Sequence, residues 1–333
     1  MKITMDEIAK LAGVSKATVS RVLNNVECGV GEETRKRVRQ IADELSYSLE
    51  PGSRKKPMQN VKIIGLILPD ITNPFFAELA KAVELSARKN GYSLVLANTD
   101  FSEENECSNI REMMIKHLDG IILVPSGYQA REEHFLPKRY QIPMVLMDRK
   151  LEGITDIPGV YSNNEYASVI SCEYLIRKGA QKIVFISGPL NVSTSIERFE
   201  GYKAVLAQYG IPFRPEMCRH GNYTVESGYN AVLEMERCGV SYNAILAAND
   251  LMALGALKAV QELGYKVPED VQIIGFDNIE FSQYCEPSLS TMQQPTYDMG
   301  SKAVELLMKI IDNAEPTQPE RLGPKLLMRK TTR

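Results

Sequence analysis

The stretch TMDEIAKLAGVSKATVSRVLN, residues 4–24, has the form of two short helices joined by a tight turn. Thr4 is a suitable N-cap for the first helix, and Ser15 is one for the second. Between them, Gly13 can adopt the positive φ that such a turn needs. Two helices joined so closely cross steeply. The stretch therefore predicts a helix-turn-helix whose second helix can enter the major groove of DNA.

The outer face of the second helix carries short hydrogen-bonding side chains instead of the Glu and Lys that usually solubilise a helix. Ser, Thr and Asn cost helix propensity, but they bind phosphates and base edges, and Ala17 can contact a thymine methyl group. The residues left outside are Lys16, Ala17, Thr18, Ser20, Arg21 and Asn24. The pattern favours DNA binding. The alternative is a three-helix head that binds a protein through a polar face.

Residues 1–46 are predicted to form an all-helical head. Ile8, Leu11 and Ala12 share one face of its first helix. A third helix has its apolar stripe at Val38, Ile41, Ala42 and Leu45. Residues 47–60, YSLEPGSRKKPMQN, are predicted to be a linker or hinge, because two prolines and a glycine interrupt any helix there.

Charge and composition limit the classes of protein. The net charge of −3 argues against a histone-like protein, yet residues 1–60 hold 11 Lys and Arg against 8 Asp and Glu. A basic head on an acidic body is typical of a protein that binds nucleic acid at one end.

The six cysteines form no CxxC pair, residues 1–10 contain no apolar segment typical of a signal peptide, and no apolar run approaches the roughly 20 residues that span a bilayer. These features predict a cytoplasmic, nucleoid-associated protein.

From residue 62 onward, short apolar runs alternate with helical stretches, which predicts βα units and parallel sheets. The runs interpreted as strands buried on both faces are IIGLIL, SLVLAN, GIILVP, MVLMD, KIVFIS, AILAAN and VQIIGF. Because these strands are too many for one sheet of ordinary size, the predicted fold class is α/β with two doubly wound lobes that follow the head in sequence. The predicted bounds are 61–161 for the first lobe, 162–291 for the second, and 292–333 for a crossover that returns to both.

Polar and aromatic side chains follow several of these strands, where open α/β sheets bind ligands. Carboxylates, amides and guanidinium groups suit the vicinal diols of a sugar, and aromatic rings can pack on its apolar face. The candidate ligand-binding residues are Asn73, Phe75, Phe76, Asp148, Arg149, Arg198, Tyr223, Asn249, Asp277, Gln293 and Gln294. Any one of them could instead be a loop cap or part of a salt bridge. Asp70 is favoured as a cap, and Asn73 could simply begin a helix.

No arrangement typical of catalysis is found in the sequence. None of the three histidines, His117, His134 and His220, lies in a strand-end motif, and GxSxG, phosphate-loop and metal-ligand spacings are missing. The sequence predicts a binding protein that is not an enzyme and that needs no cofactor and no metal.

The segments MDEIAKLAGVSKATVSRVLN, EETRKRV and ELSYS resemble the head of the LacI-type family of bacterial transcription regulators. The resemblance implies a homodimer on a palindromic operator, with the second helix of each head in a major groove. The candidate DNA contacts are Thr4, Ser15, Lys16, Ala17, Thr18, Ser20, Arg21, Asn24, Tyr47, Arg54, Lys55 and Lys56. The linker departs from the family pattern, since Lys56 stands where a minor-groove leucine is usual. Arg54, Lys55 and Lys56 are therefore predicted to contact phosphates mainly.

The rest of the chain is similar to the family's periplasmic-binding-protein-like core. Asn-Pro-Phe-Phe, Asp-Arg, Arg-Phe-x-Gly-Tyr, Asn-Asp and Gly-Phe-Asp fall on the family's ligand-contact positions and most resemble ribose binders. The implied function is a repressor of a carbohydrate-utilisation operon. Its effector, a ribose-like monosaccharide, would bind between the lobes and act either as an inducer or as a co-repressor. Two alternatives remain: a regulator controlled by a phosphorylated carrier protein, and a sugar-binding transport protein.

Overall fold

The computed structural model describes residues 4–23, 29–44, 62–127, 129–131, 134, 142–313 and 319–333. The chain divides into two compact units, Met1–Val61 and Lys62–Arg333. The predictions for Asn24, Leu45 and the linker residues 47–60, including Tyr47, Arg54, Lys55 and Lys56, lie outside the described residues.

The first unit contains three helices, α1 (Met5–Ala12), α2 (Lys16–Leu23) and α3 (Glu32–Glu44). The backbone N–H of Thr4 donates to the Glu7 carboxylate at 2.7 Å, which caps α1. Gly13 has φ 64° in the turn, and Ser15 Oγ accepts from the N–H of Thr18 at 3.1 Å. The buried core consists of Ile8, Ala9, Ala12, Val19, Val22, Val38 and Ala42.

The prediction that Leu11 shares the buried face of α1 is wrong, because its side chain is 63% exposed. Each helical residue is rotated by about 100° from the one before it. The buried stripe of α1 is centred on Ile8, Ala9 and Ala12, and this rotation places Leu11 to one side of it.

The second unit contains two six-stranded sheets, one in each lobe. The first sheet has the order β2-β1-β3-β4-β5-β11, with all its strands parallel. Its strands are β1 (Ile63–Leu68), β2 (Ser93–Asn98), β3 (Gly120–Leu123), β4 (Met144–Met147), β5 (Gly159–Ser162) and β11 (Glu320–Leu322). The helices of this lobe are α4 (Pro74–Lys89), α5 (Glu103–Ile115) and α11 (Thr296–Ile311).

The second sheet has the order β7-β6-β8-β9-β10-β12, and only its edge strand β12 runs antiparallel to its neighbour among these described strands. Its strands are β6 (Ile183–Ser187), β7 (Cys218–His220), β8 (Ala244–Ala247), β9 (Gln272–Asp277), β10 (Ser290–Gln293) and β12 (Lys325–Leu327). The helices of this lobe are α6 (Asn164–Arg177), α7 (Ser193–Gln208), a 3₁₀ turn (Pro215–Met217), α8 (Val225–Arg237), α9 (Asp250–Glu262) and α10 (Phe281–Tyr284). Two doubly wound lobes in one unit and a helical head in the other confirm the predicted fold class.

The backbone passes between the lobes three times. It leaves the first sheet after β5, returns to the first lobe after β10, and crosses again between β11 and β12. The residues after 319 therefore supply one strand to each sheet. None of the helices in the described ranges is both long and apolar enough to cross a membrane.

One strand prediction needs correction. SLVLAN, which forms β2, is not buried on both faces, since Val95 is 40% and Leu96 is 36% exposed. The reason is its place at the edge of the first sheet, where it pairs only with β1 in the described structure. The interior strands β3, β4, β6, β8 and β9 are buried along their whole length, as expected for parallel strands covered on both faces.

Candidate functional site

A cleft between the two lobes collects residues from the carboxyl ends of strands in both sheets. Its lining consists of Asn73, Phe75, Phe76, Asp148, Arg149, Thr194, Arg198, Tyr223, Asn249, Asp277 and Gln294. Ten of these are sequence-predicted ligand residues, and the structure brings them together at the place where α/β sheets bind ligands. Their role in binding stays a prediction.

The aromatic wall of the cleft begins at the N-terminus of α4. Asn73 caps this helix, because its side-chain oxygen accepts from the N–H of Phe75 at 3.1 Å, and Pro74 occupies the first helical position. The cap places the rings of Phe75 and Phe76 edge to face, with centroids 5.1 Å apart. Asn73 thus begins a helix and also lines the cleft.

Two carboxylates face the cleft from the ends of β4 and β9. Asp148 has φ 64° and Asp277 has φ 118°, a region that residues other than glycine adopt at a cost in energy. Burial raises the pKa of Asp148, against the lowering effect of Arg149 and Arg198. Burial also raises the pKa of Asp277 to about 7, although Arg198 and a hydrogen bond from Gln294 Nε2 at 2.8 Å oppose it.

The two arginines are held by the protein around them. Arg149 lies between the rings of Phe76, Phe101 and Tyr223, 5.3–5.8 Å from their centroids, and donates to the carbonyl of Pro125 at 3.0 Å. The guanidinium group of Arg198 stacks 3.6 Å above the ring centroid of Phe276. Arg198 also donates to Asn164 Oδ1 at 2.9 Å and to the carbonyl of Ala248. Both cations are therefore fixed in position.

Three buried polar atoms of the cleft have no hydrogen-bond partner among the described residues. They are Asp148 Oδ1, Gln294 Oε1 and Arg149 Nε, although Arg149 Nε also lies 3.7 Å from Asp148 Oδ2 in an ion pair. Leaving such atoms unpaired costs about 1–3 kcal/mol each, so their presence together calls for a ligand that pairs with them. The site offers two acceptors and one donor, and when Asp277 is ionised its two carboxylates balance its two guanidinium groups. This chemistry suits an uncharged molecule rich in hydroxyl groups.

Tyr223 and Asn249 close the second-lobe side of the cleft. The hydroxyl of Tyr223 lies 2.5 Å from Ser195 Oγ, and its ring occupies space that a side chain at Gly188 would fill. Asn249 caps α9 by accepting from the N–H of Met252 at 3.0 Å, and it donates to the carbonyl of Tyr223 at 3.1 Å. The ring of Tyr223 therefore lines the cleft while its hydroxyl is held by the protein.

The structure distinguishes the two candidate glutamines and adds one residue. Gln294 is buried and lines the cleft, whereas Gln293 is exposed and lines only a second, surface cavity that Gln294 also borders. Thr194 lines the cleft but was not predicted, since a Ser/Thr run before a helix reads as ordinary capping. Asp70, which was favoured as a cap, accepts from the N–H of Thr72 at 2.8 Å.

The predicted DNA-binding face lies on α2 in the first unit. Lys16, Ala17 and Arg21 are exposed there, and Thr18 and Ser20 are half-buried. The Lys16 ammonium pairs with Asp6 of α1 at 2.7 Å, a contact open to solvent on both sides. Ser15 and Thr4, which were counted as candidate contacts, are exposed caps of α2 and α1. A polar, solvent-facing α2 is thus available for a duplex.

Comparison with known proteins assigns the family. Residues 4–49 match "Bacterial regulatory proteins, lacI family", and residues 172–332 match a periplasmic binding protein-like domain. The ribose operon repressor of Halalkalibacterium halodurans is 36% identical over 99% of this chain and 97% of its own.

Solved structures with a similar fold match all or most of the chain. The lac repressor dimer bound to operator and the anti-inducer ONPF is 25% identical, with a TM-score of 0.76 over 100% of this chain and 99% of that one. A LacI family regulator from Enterococcus faecium with bound ribose is 26% identical, with a TM-score of 0.73 over 81% of this chain and 98% of that one. Since sequence identity extends along nearly the whole chain, the protein belongs to the LacI family of bacterial DNA-binding transcription regulators.

Proposed function

We propose that the protein represses a carbohydrate-utilisation operon as a homodimer on a palindromic operator, and that a free ribose-like monosaccharide is its effector. The observation that supports this effector is the set of buried atoms without a hydrogen bond on Asp148, Arg149 and Gln294, in a cleft with two carboxyl groups, two guanidinium groups and aromatic rings. The ribose bound to the Enterococcus faecium relative supports the same class of ligand. As a DNA-binding regulator, the protein would act in the cytoplasm at the nucleoid, without a cofactor and without catalysis.

The mechanism follows from linkage between two sites. A sugar that binds between the lobes favours the lobe arrangement that encloses it, and an operator favours one arrangement of the two heads. If sugar binding and the arrangement of the heads both depend on how the lobes are oriented, the two sites are coupled. The sugar then changes operator affinity, and the operator changes sugar affinity, by the same factor. The transport alternative is wrong, because the chain has a lacI-family head and its relatives are repressors.

The decisive experiment is an operator shift assay with the full-length chain, run with and without ribose, other pentoses and hexoses, and ribose 5-phosphate. We expect ribose or a similar free sugar to change operator affinity, and calorimetry to show its binding. The phosphorylated sugar should have a smaller effect, since the carboxylates of Asp148 and Asp277 already offset the charges of Arg149 and Arg198 and leave no spare cation for a phosphate. If no sugar acts but a phosphorylated carrier protein does, control by a partner protein is the better account.

The affinity for the sugar should rise with pH. The raised pKa of Asp277 means that its carboxyl group is largely protonated below pH 7 in the free cleft. In the absence of sugar, the raised pKa also makes the folded protein more stable at low pH. This contribution to the free energy of unfolding is lost as pH rises through about 7. Sugar hydroxyls donate to the ionised form, so binding releases a proton and strengthens as the carboxylate forms. We expect roughly a tenfold gain in affinity between pH 6 and pH 8 by calorimetry.

The matched variant for this pH profile is Asp277→Asn, which cannot ionise. It should bind the sugar with an affinity that varies much less over the same range. An equal pH slope in the variant and the wild type would show that another group is responsible.

A further inference from the structure

Lys150 of the first lobe joins the second lobe through two contacts beside the cleft. Its backbone N–H donates to Ser193 Oγ at 2.9 Å, and its ammonium group pairs with the carboxylate of Glu197. Lys150 follows β4, whereas Ser193 and Glu197 lie in the first two turns of α7. The charged side chains of the pair are 28% and 25% exposed, so water screens them less than a pair on the open surface.

Each member of this contact is adjacent in sequence to a residue that lines the cleft. Lys150 follows Arg149, Ser193 precedes Thr194, and Glu197 precedes Arg198. A movement that separates the contact must therefore also move cleft residues on both lobes. None of the three residues lines the cleft itself.

The contact is also tied to the backbone segment that connects the lobes. Glu197 Oε2 accepts from Asn164 Nδ2 at 3.3 Å, and Asn164 begins α6 directly after the first crossover. Asn164 Oδ1 in turn accepts from Nε of Arg198 at 2.9 Å. One hydrogen-bonded chain thus runs from Lys150 through the crossover to a cleft arginine.

We infer that Lys150, Ser193 and Glu197 are positioning residues that hold the two lobes together and so set the affinity of the cleft for its ligand. This rests on the proposed function, since a ligand between the lobes must keep them together. The apparent dissociation constant is the intrinsic one divided by the fraction of protein in the competent arrangement. Loss of the bridge therefore weakens binding without removing any contact to the ligand.

The first test needs no ligand. The backbone N–H of Lys150 is itself part of the bridge, so its hydrogen exchange reports whether the lobes stay joined. In the full-length Glu197→Gln variant, Ser193 is still present to accept from the N–H of Lys150, and the glutamine side chain at position 197 can still accept from Asn164. We nevertheless expect exchange at Lys150 to be faster by roughly threefold to tenfold, because the ion pair no longer opposes lobe separation.

The second test measures ribose binding by calorimetry in the same variants. We expect Glu197→Gln and Lys150→Met to weaken binding by roughly threefold to tenfold. The ribose concentration that half-alters operator binding should increase by the same factor. The charge-swapped double variant Lys150→Glu with Glu197→Lys should bind ribose more tightly than either of its two single variants, which a general packing defect would not produce, although lysine at position 197 cannot accept from Asn164.

The matched control is Lys203→Met. Lys203 pairs with Glu200 at 2.7 Å within α7, so that ion pair does not join the lobes. The Lys203→Met variant should therefore show wild-type hydrogen exchange at Lys150 and wild-type ribose affinity. Wild-type exchange at Lys150 in Glu197→Gln, together with wild-type ribose affinity, would overturn the inference. Faster exchange in Glu197→Gln, with no sugar bound by the wild type, would support the bridge and overturn the proposed effector.

Discussion

Asp148→Asn should weaken sugar binding by about 10- to 150-fold while operator binding without sugar stays unchanged. The range corresponds to the loss of a hydrogen bond to a charged group, worth about 1.5–3 kcal/mol. Asp148 Oδ1 has no partner among the described residues, so a sugar hydroxyl is the group that would pair with it. Asparagine has the same shape as aspartate and tolerates the positive φ of 64° at this position, so the substitution tests charge and not backbone strain.

The control for this variant is Asp70→Asn. Asp70 also follows a strand of the first lobe, but its carboxylate caps the turn at Thr72 and does not line the cleft. Calorimetry with ribose should show wild-type affinity in Asp70→Asn. If Asp148→Asn bound ribose as tightly as the wild type, the cleft carboxylate would have no part in recognition.

Arg21→Ala should weaken binding to the specific operator by roughly 5- to 150-fold, since one base contact by arginine contributes about 1–3 kcal/mol of discrimination. Arg21 is exposed on α2, on the same face as Ala17 one turn earlier. Binding to a duplex of random sequence should fall much less if Arg21 contacts a base. If it contacts a phosphate, both duplexes lose affinity equally and the salt dependence becomes shallower.

The matched control here is Arg37→Ala, which removes the same charge from the exposed surface of α3. A fluorescence anisotropy titration of the two variants at one salt concentration separates a base contact from a loss of positive charge in the head. Equal losses of operator affinity in the two variants would contradict a special role for α2.

The sequence predicted the elements whose signals are local. Gly13 and Ser15 fix the turn between α1 and α2, because glycine readily takes positive φ and serine caps a helix. Long apolar runs such as VQIIGF predicted the buried strands. β5 and β11, which have four and three residues, carry no comparable pattern, and α5 is too polar along its length to show a clear apolar stripe.

Other features depend on tertiary context that a sequence pattern does not contain. SLVLAN is as apolar as an interior strand, and only the order of the sheet makes β2 an edge. Consecutive strand residues point to opposite faces, so the pair Gln293-Gln294 could not show which side chain enters the cleft. The contact between Lys150 and Glu197 joins residues 47 positions apart and depends on how the lobes meet.

The threefold passage of the backbone between the lobes has a consequence for synthesis on the ribosome. β11 completes one sheet and β12 completes the other. The hydroxyl of Thr331 also donates a hydrogen bond to the carbonyl of Ile273 in β9 at 2.7 Å. Neither lobe can acquire its final pairing until residues 320–331 have emerged, whereas the helical head can fold long before. A nascent chain stalled before residue 320 would thus expose a folded head together with two sheets that each lack a strand.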